Sequence, residues 1–441
     1  MIPSDRRRTI LNLALPIMGG MASQNVLNLV DTAMVGMLGP APLAAVGMAS
    51  FANFMAAALI MGLSAGVQAM AARRLGEGRG DEAAVPLNGG LLLAVLIGVP
   101  WSVLLVVQTP NFFPLLVDDP EVVRQGVPYL QARLAAIAAL GMNFAFRGYW
   151  NGVSLSRIYM RTLIVMHALN LLLNWLLIFG HLGLPEMGAA GAGVGSAIAT
   201  ATGALMYLVQ GLKIARPNGF FTGLPDRQTM LTMLRLSVPA GIQQFFFAAG
   251  MTAFFWILGR IGTLELAASN VLVQLLLVAI LPGLGFGMAS ASLVGQALGH
   301  GDRQDAYRWG WDVVTIAVAL VGAISSVGLI FPDVLLGLFL HDDSTLSLAR
   351  LPLRILAASM VFDTVGMVLM NSLLGAGAAR QTMIVTVSMQ WLLFLPAAWL
   401  IGPVLGGGMT AVWIAHVSYR VAQSGVFVAM WRRRGWADIA V

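Results

Sequence analysis

Twelve stretches of apolar residues, separated by short polar turns, occupy almost the whole chain. They fall at about 10–38, 43–72, 85–107, 122–146, 160–180 and 188–213, then at about 232–258, 265–298, 309–331, 348–374, 382–402 and 409–431. A helix rising 1.5 Å per residue needs about 20 residues to cross roughly 30 Å of hydrocarbon, so each stretch predicts a membrane-spanning helix. Residues 215–231, with Pro217, Asn218, Gly219, Gly223 and Pro225, read as a cytoplasmic linker. It separates an N-terminal six-helix bundle over 1–214 from a C-terminal one over 232–441.

The two bundles repeat one another at a displacement of 223 residues, that between Pro16 and Pro239. Leu15 returns as Val238, Gly39 as Gly262, Gly62 as Gly285, Gly152 as Gly375 and Arg157 as Arg380. The turn Leu75-Gly76-Glu77-Gly78 returns as Leu298-Gly299-His300-Gly301. Six spans is an even number, so both copies enter the membrane in the same sense. The expected fold is an all-α membrane protein of twelve transmembrane helices. Its two parallel six-helix bundles would be related by a pseudo-two-fold axis along the membrane normal. Internal duplication of this kind points to a transporter, because two similar bundles around a central site can rock against each other.

Of the 441 residues 58% are hydrophobic and only 10% charged, and mean hydropathy is +0.83; a soluble chain of this length needs far more charged surface. The formal charge of +6 raises the question of nucleic acid, and the placement of the arginines answers it. Arg6–Arg8, Arg73, Arg74, Arg79, Arg147, Arg157, Arg161, Lys213, Arg216, Arg227, Arg235, Arg303, Arg308, Arg380 and Arg432–Arg434 lie at the termini or at even-to-odd connections. The other side holds Arg124, Arg133, Arg260, Arg350 and Arg354, together with Asp118-Asp119 and Asp342-Asp343. Basic residues favour the cytoplasm, so both termini are expected there and no nucleic-acid partner is expected. The apolar run after Arg8 is too long for a cleaved signal peptide and reads as the first span. The chain has no cysteine, and its single lysine, Lys213, precedes Ile214 rather than Ser or Thr. Disulfides, thiolate metal sites and a phosphate-binding P-loop are thereby excluded. Neither a His/Glu zinc motif nor a Ser-His-Asp set suggests an enzyme, and no cofactor is expected.

Nearly all of the 19 carboxylates sit in loops or at span ends. Asp31 in span 1 and Asp363 in span 10 do not, and an ionisable residue at membrane depth is a functional candidate because placing it there costs at least a few kcal/mol. Gln24, Asn28 and Asp31 follow i, i+4, i+7 spacing and share one helix face, as do His167, Asn170 and Asn174 in span 5. If both stripes face inward, the first half encloses a polar pocket with one titratable acid; interhelical hydrogen bonding is the plainer reading of the same residues. Asp363 has Leu140 as its repeat counterpart, so it is not inherited from the duplication; it is either a second proton or ion site, separable from Asp31, or a buried acid paired with a hydroxyl or amide. Gln243, Gln244, Asn270 and Gln274 are candidates to line a substrate cavity. Pro16 and Pro239 are expected to open spans 1 and 7, and Pro282-Gly283 to interrupt span 8. No arginine is expected at mid-membrane depth.

At Leu29-Val30-Asp31-Thr32-Ala33-Met34-Val35-Gly36 the chain resembles the MATE (multidrug and toxic compound extrusion) family. Ala14-Leu15-Pro16, Leu75-Gly76, Leu169–Trp175, Phe362-Asp363 and Leu374-Gly375-Ala376-Gly377 extend the resemblance along nearly the whole chain. It implies a monomeric, multi-pass antiporter of the bacterial inner membrane, expelling bulky amphipathic, often cationic, compounds in exchange for H⁺ or Na⁺ by alternating access. It also implies roles in cation coupling for Asp31, Asn170, Asn174 and Asp363, with Asn28 beside Asp31. Gln24 and His167 join the cavity candidates. Phe247 stands where NorM-like members carry a helix-7 glutamate, and Asn174 where DinF-like members often place a second acid. A dehydrated Na⁺ needs several oxygen ligands, whereas a proton needs one carboxyl with a hydrogen-bond partner, so H⁺ is the expected coupling ion. A flippase for a lipid-linked saccharide is the alternative, although that class tends to have a strongly cationic cavity. A cysteine introduced at Asp342 should label from outside intact cells and one at Arg303 from inside; the reverse pattern would overturn the topology.

Overall fold

The computed structural model describes residues 2–340 and 342–441, and these are nearly all helical. The first six spans are α1 (Ser4–Gly36), α2 with α3 (Pro40–Met61, Leu63–Gly76), α4 (Val85–Phe112), α5 with α6 (Pro120–Ala135, Ile137–Gly152), α7 (Ser156–Phe179) and α8 (Gly188–Gln210). The next four are α9 (Arg227–Ile261), α10 (Thr263–Gly299), α11 (Arg303–Ile330), which the short α12 (Pro332–Gly337) follows, and α13 (Asp343–Gly375). Span 11 comprises α14 (Ala379–Ser388) and α15 (Leu395–Trp399) with π-helical turns at Met389–Phe394 and Leu400–Val404, and α16 (Gly408–Arg433) is span 12. Ten of the twelve are long and apolar enough to cross a membrane on their own. The other two, α5–α6 and α16, carry polar residues within the span, among them Gln131 and Arg133 in one and His416, Arg420 and Gln423 in the other.

Three sequence expectations about the helices are corrected. Pro282 does not interrupt span 8, since α10 runs through it without a break. Pro16 and Pro239 lie well inside α1 and α9 rather than opening them. A proline removes one backbone donor, and neighbouring groups in a packed bundle make up that loss. The breaks fall elsewhere, at Gly62 between α2 and α3 and at Ala136 between α5 and α6.

Helix α9 begins at Arg227, inside the segment read as linker, because Asp226 Oδ1 accepts the Thr229 amide at 3.2 Å and caps its first turn. The rest of that segment is anchored. Asn88 Nδ2 donates to the carbonyls of Gly219 and Gly223 at 2.9 and 3.0 Å, and Asn88 Oδ1 accepts from Phe221 N at 3.1 Å.

Contacts group the chain into two compact units, Gly19–Gln244 and Met1–Met18 with Phe245–Val441. Each boundary falls within a helix, α1 in one case and α9 in the other, rather than in the polar segment over 215–231. The first unit has an aromatic core in which Phe146 stacks on Trp150 and Tyr207 and meets Phe220. The second has Phe254, Leu258, Leu272, Phe394 and Trp413 at its centre. Large apolar side chains such as Leu96, Val103 and Val107 on α4 and Leu392 in span 11 point outward, as a lipid solvent requires.

Glycines set the closest helix approaches. In the first unit a Cβ on Gly62 would lie 2.1 Å from the Ser237 carbonyl oxygen and 2.5 Å from the Gly241 nitrogen. In the second unit a Cβ on Gly285 would lie 2.3 Å from Met18 Cγ. Gly62 and Gly285 are repeat counterparts, and so are Met18 and Gly241, so the duplication has kept one crossing in two chemical versions. Backbone cannot move aside as a flexible methionine can. Gly62→Ala should therefore lower the melting temperature of detergent-purified protein more than Gly285→Ala, with an overpacking cost of roughly 1–3 kcal/mol at Gly62. Equal shifts would contradict the assignment.

Candidate cation-coupling site

Within the first unit, α7 and α8 pack closely because α8 opens with small residues. A Cβ on Gly191 would lie 2.5 Å from the Leu177 carbonyl oxygen, and one on Gly195 would lie 2.3 Å from Asn174 Oδ1. Small residues at these positions let two backbones approach inside a membrane. They bring Ser196, the residue after Gly195, onto the polar stripe of α7.

The result is a continuous hydrogen-bonded row. Asn174 Nδ2 donates to Asp31 Oδ1 at 2.8 Å and to Asn170 Oδ1 at 3.3 Å. Asn170 Nδ2 donates onward to Ser196 Oγ at 3.0 Å. Asn170 and Asn174 are buried and Asp31 is partly so. Because Asn174 faces an acceptor on each neighbour, its amide group must turn the nitrogen toward them; its Oδ1 is buried without a hydrogen-bond partner. Ser196 also lines a cavity of about 20 Å³ with Asn53, Arg133 and Thr200. That volume suffices for one water, and the orphaned Asn53 Oδ1 is a partner for it.

One helical turn away a second cluster ties α1 to α7. Gln24 Nε2 donates to Asn28 Oδ1 at 3.1 Å, leaving Gln24 Oε1 3.0 Å from His167 Nε2, which therefore carries a proton. His167 Nδ1 lies 2.7 Å from Ser23 Oγ. With both nitrogens engaged, His167 acts as an interhelical clasp.

The remaining candidates do not join this row. Asn28 is exposed, and it hydrogen-bonds Gln24 and Thr32 of its own helix rather than Asp31. Gln243 is buried and Gln244 half-buried on α9, in the first unit. Asn270 and Gln274 are exposed on α10 in the second unit, and Asn270 Nδ2 bonds back to its own helix at the Leu266 carbonyl, 3.0 Å away. Asp363 is buried in the second unit and forms an ion pair with Arg420 of α16. Arg420 lies near the middle of its helix, which corrects the expectation that no arginine sits at that depth. The sequence reading missed Arg420, Ser196, Asn53 and Ser23. Arg420 carried its own signal, being a lone charge amid an apolar run; Ser196 had none, because a serine among glycines and alanines reads as packing.

A chain of twelve spans in two similar units, one holding a carboxylate in a polar row at membrane depth, is a polytopic membrane protein with the layout of a duplicated transporter. The MatE family model matches it twice, over residues 16–176 and 239–400, so each match begins at one of the repeat-related prolines and the chain belongs to the MatE family. It is similar to a probable multidrug resistance protein NorM of Thermotoga maritima, 25% identical over 99% of this chain and 94% of the relative. A probable multidrug resistance protein NorM of Rhizobium meliloti is 28% identical over 93% of this chain and 90% of its own length. Among solved structures, an outward-facing multidrug resistance MATE family transporter of the MOP superfamily superposes with a TM-score of 0.90 at 22% identity, covering 99% of this chain and 97% of that one. A MOP superfamily transporter from Pyrococcus furiosus, described as having a binding pocket of reversed polarity, gives 0.89 at 23% identity with the same coverage.

Asn174 should be the residue through which the row depends on α7. Replacing it with leucine, of similar size, leaves Asp31 and Asn170 without its amide and should cost roughly 1–3 kcal/mol for polar groups left unsatisfied. The Asn174→Leu variant is expected to insert normally but to melt at lower temperature. An unchanged melting temperature would show that the row is not a cooperative unit.

Proposed function

We propose that the chain is a secondary active multidrug antiporter that exports bulky amphipathic, often cationic, compounds in exchange for H⁺. Asp31 is the carboxyl that binds and releases the coupling ion, and Asn174, Asn170 and Ser196 hold it and relay hydrogen bonding away from it. The observation that carries this reading is the Asn174–Asp31 hydrogen bond at the end of a buried polar row in a membrane span. The names of the NorM relatives support the multidrug substrate class. Protonating Asp31 and holding a cation beside it are mutually exclusive, so a proton gradient can drive the cation out as the protein alternates between two accessible states.

The orientation of Asn174 favours H⁺ over Na⁺. A Na⁺ site gathers oxygens, whereas here the amide nitrogens of Asn174 and Asn170 point at the oxygens of Asp31, Asn170 and Ser196. Such a row is suited to a carboxyl that exchanges a proton with its hydrogen-bonded surroundings. The reading further places the chain in a bacterial inner membrane, working as a monomer with both termini cytoplasmic. The saccharide-flippase alternative gains nothing from Arg420, whose charge is already neutralised by Asp363.

The test is efflux of a cationic dye from vesicles under an imposed pH gradient or an imposed Na⁺ gradient. Efflux should collapse when the pH gradient is dissipated and be indifferent to Na⁺. The Asp31→Asn protein should be inserted and folded but inactive. Transport that follows the Na⁺ gradient at fixed pH, or wild-type efflux by Asp31→Asn, would overturn the reading.

A further inference from the structure

The second unit contains one membrane-depth carboxylate among the described residues, and it is not free. Asp363 on α13 is paired with Arg420 on α16, and both side chains are largely buried, at 9% and 19% exposure. The guanidinium is held from its other side, since Arg420 Nη1 donates to Gln423 Oε1 at 2.9 Å. It also lies 5.9 Å from the Tyr419 ring centroid. One turn along, Gly366 brings the two helices together: a Cβ there would lie 2.1 Å from Ser424 Oγ and 2.9 Å from Ser424 Cα. The ion pair is therefore clamped by helix packing. In the other copy of the repeat, Leu140 and Ala197 stand where Asp363 and Arg420 stand, so the second copy carries both charges and the first carries neither.

We propose that Arg420 is a tethered counter-cation that closes Asp363 to inorganic monovalent cations and to cationic substrates, leaving Asp31 as the carboxylate open to exchange. This rests on the reading of Asp31 above and specifies which of the two membrane-depth acids couples transport. Two charges that neutralise each other cost less to bury than either alone, so each requires the other, and transport requires neither. A free cation competing for Asp363 would have to displace a guanidinium that cannot diffuse away.

Four proteins test this: wild type, Asp363→Asn, Arg420→Gln and the double variant. Each is purified and its thermal stability measured with and without NaCl, against choline chloride at equal ionic strength. Arg420→Gln exposes a lone carboxylate and should acquire Na⁺-dependent stabilisation that wild type and the double variant lack. Asp363→Asn, with an unpaired buried guanidinium, should be destabilised and export poorly. The double variant should recover both stability and dye efflux, the latter to within about twofold of wild type, because removing both charges leaves no uncompensated ion. If Arg420→Gln does not insert, the double variant carries the test. A double variant that fails to insert, or that folds but exports no better than Asp363→Asn, overturns the proposal, as does Na⁺ stabilisation of wild type that Asp363→Asn abolishes. Export driven by a Na⁺ gradient in both wild type and the double variant would defeat the proton reading while leaving this one intact.

Discussion

Hydrocarbon offers no hydrogen bonds, so a polar atom inside a span must find its partner within the protein or cost several kcal/mol. Four pairings at membrane depth meet that constraint, while Asn174 Oδ1 and Asn53 Oδ1 stay without a partner in the protein. Asp31 takes the Asn174 amide, Asn170 passes the row to Ser196, His167 closes on Gln24 and Ser23, and Asp363 closes on Arg420. The two acids satisfy the constraint differently. Asp31 takes its hydrogen bond from a neutral donor, and the Arg133 guanidinium acts on it only through space; Asp363 is met directly by an opposite charge. A group meant to change its charge during a cycle belongs in the first situation, and a group meant to stay fixed belongs in the second.

Those pairings depend on how closely helices can approach, which is why glycine recurs beside them. Gly195 makes room for the Asn174 carboxamide and Gly366 for Ser424, one turn from the ion pair. The Gly62 and Gly285 crossings do the same for whole helices. Without a hydrophobic force between helices in lipid, such contacts and the hydrogen bonds they permit are the main source of cohesion. Losing a small residue at one of these points therefore disturbs polar geometry as well as packing.

Much of this was legible in the sequence because lipid makes the pattern blunt. Uncharged apolar runs of sufficient length reveal spans, and a carboxylate within one stands out. Asp31, Asn170 and Asn174 were found together by helical spacing alone, and the duplication by the 223-residue displacement. What escaped was whatever depends on contact between helices distant in sequence. Arg420 lies 57 positions beyond Asp363, and no periodicity links them. Ser196 carries no mark of its role until the close packing of α8 on α7 is known. The helix breaks were misplaced for a related reason: proline is conspicuous in a sequence, but a packed bundle absorbs it in α10, while Gly62 and Ala136 break spans 2 and 4 with little local warning.

The duplication makes the division between the copies explicit. Displaced by 223 residues, Asp31 becomes Phe254, Asn170 becomes Leu393, Asn174 becomes Ala397 and Ser196 becomes Tyr419. Where the first copy has its polar row, the second has rings: Phe254 meets Phe394 and Trp413 at 5.3 and 5.2 Å between centroids, and Phe394 stacks on Tyr419 at 4.6 Å. His416 sits among these rings. One backbone arrangement thus supports an ionisable network in one copy and a dense aromatic core in the other. The second copy's acid arises at a different position and comes with its own cation. At these matched positions the first copy is thus built on hydrogen bonds between polar side chains and the second on ring packing.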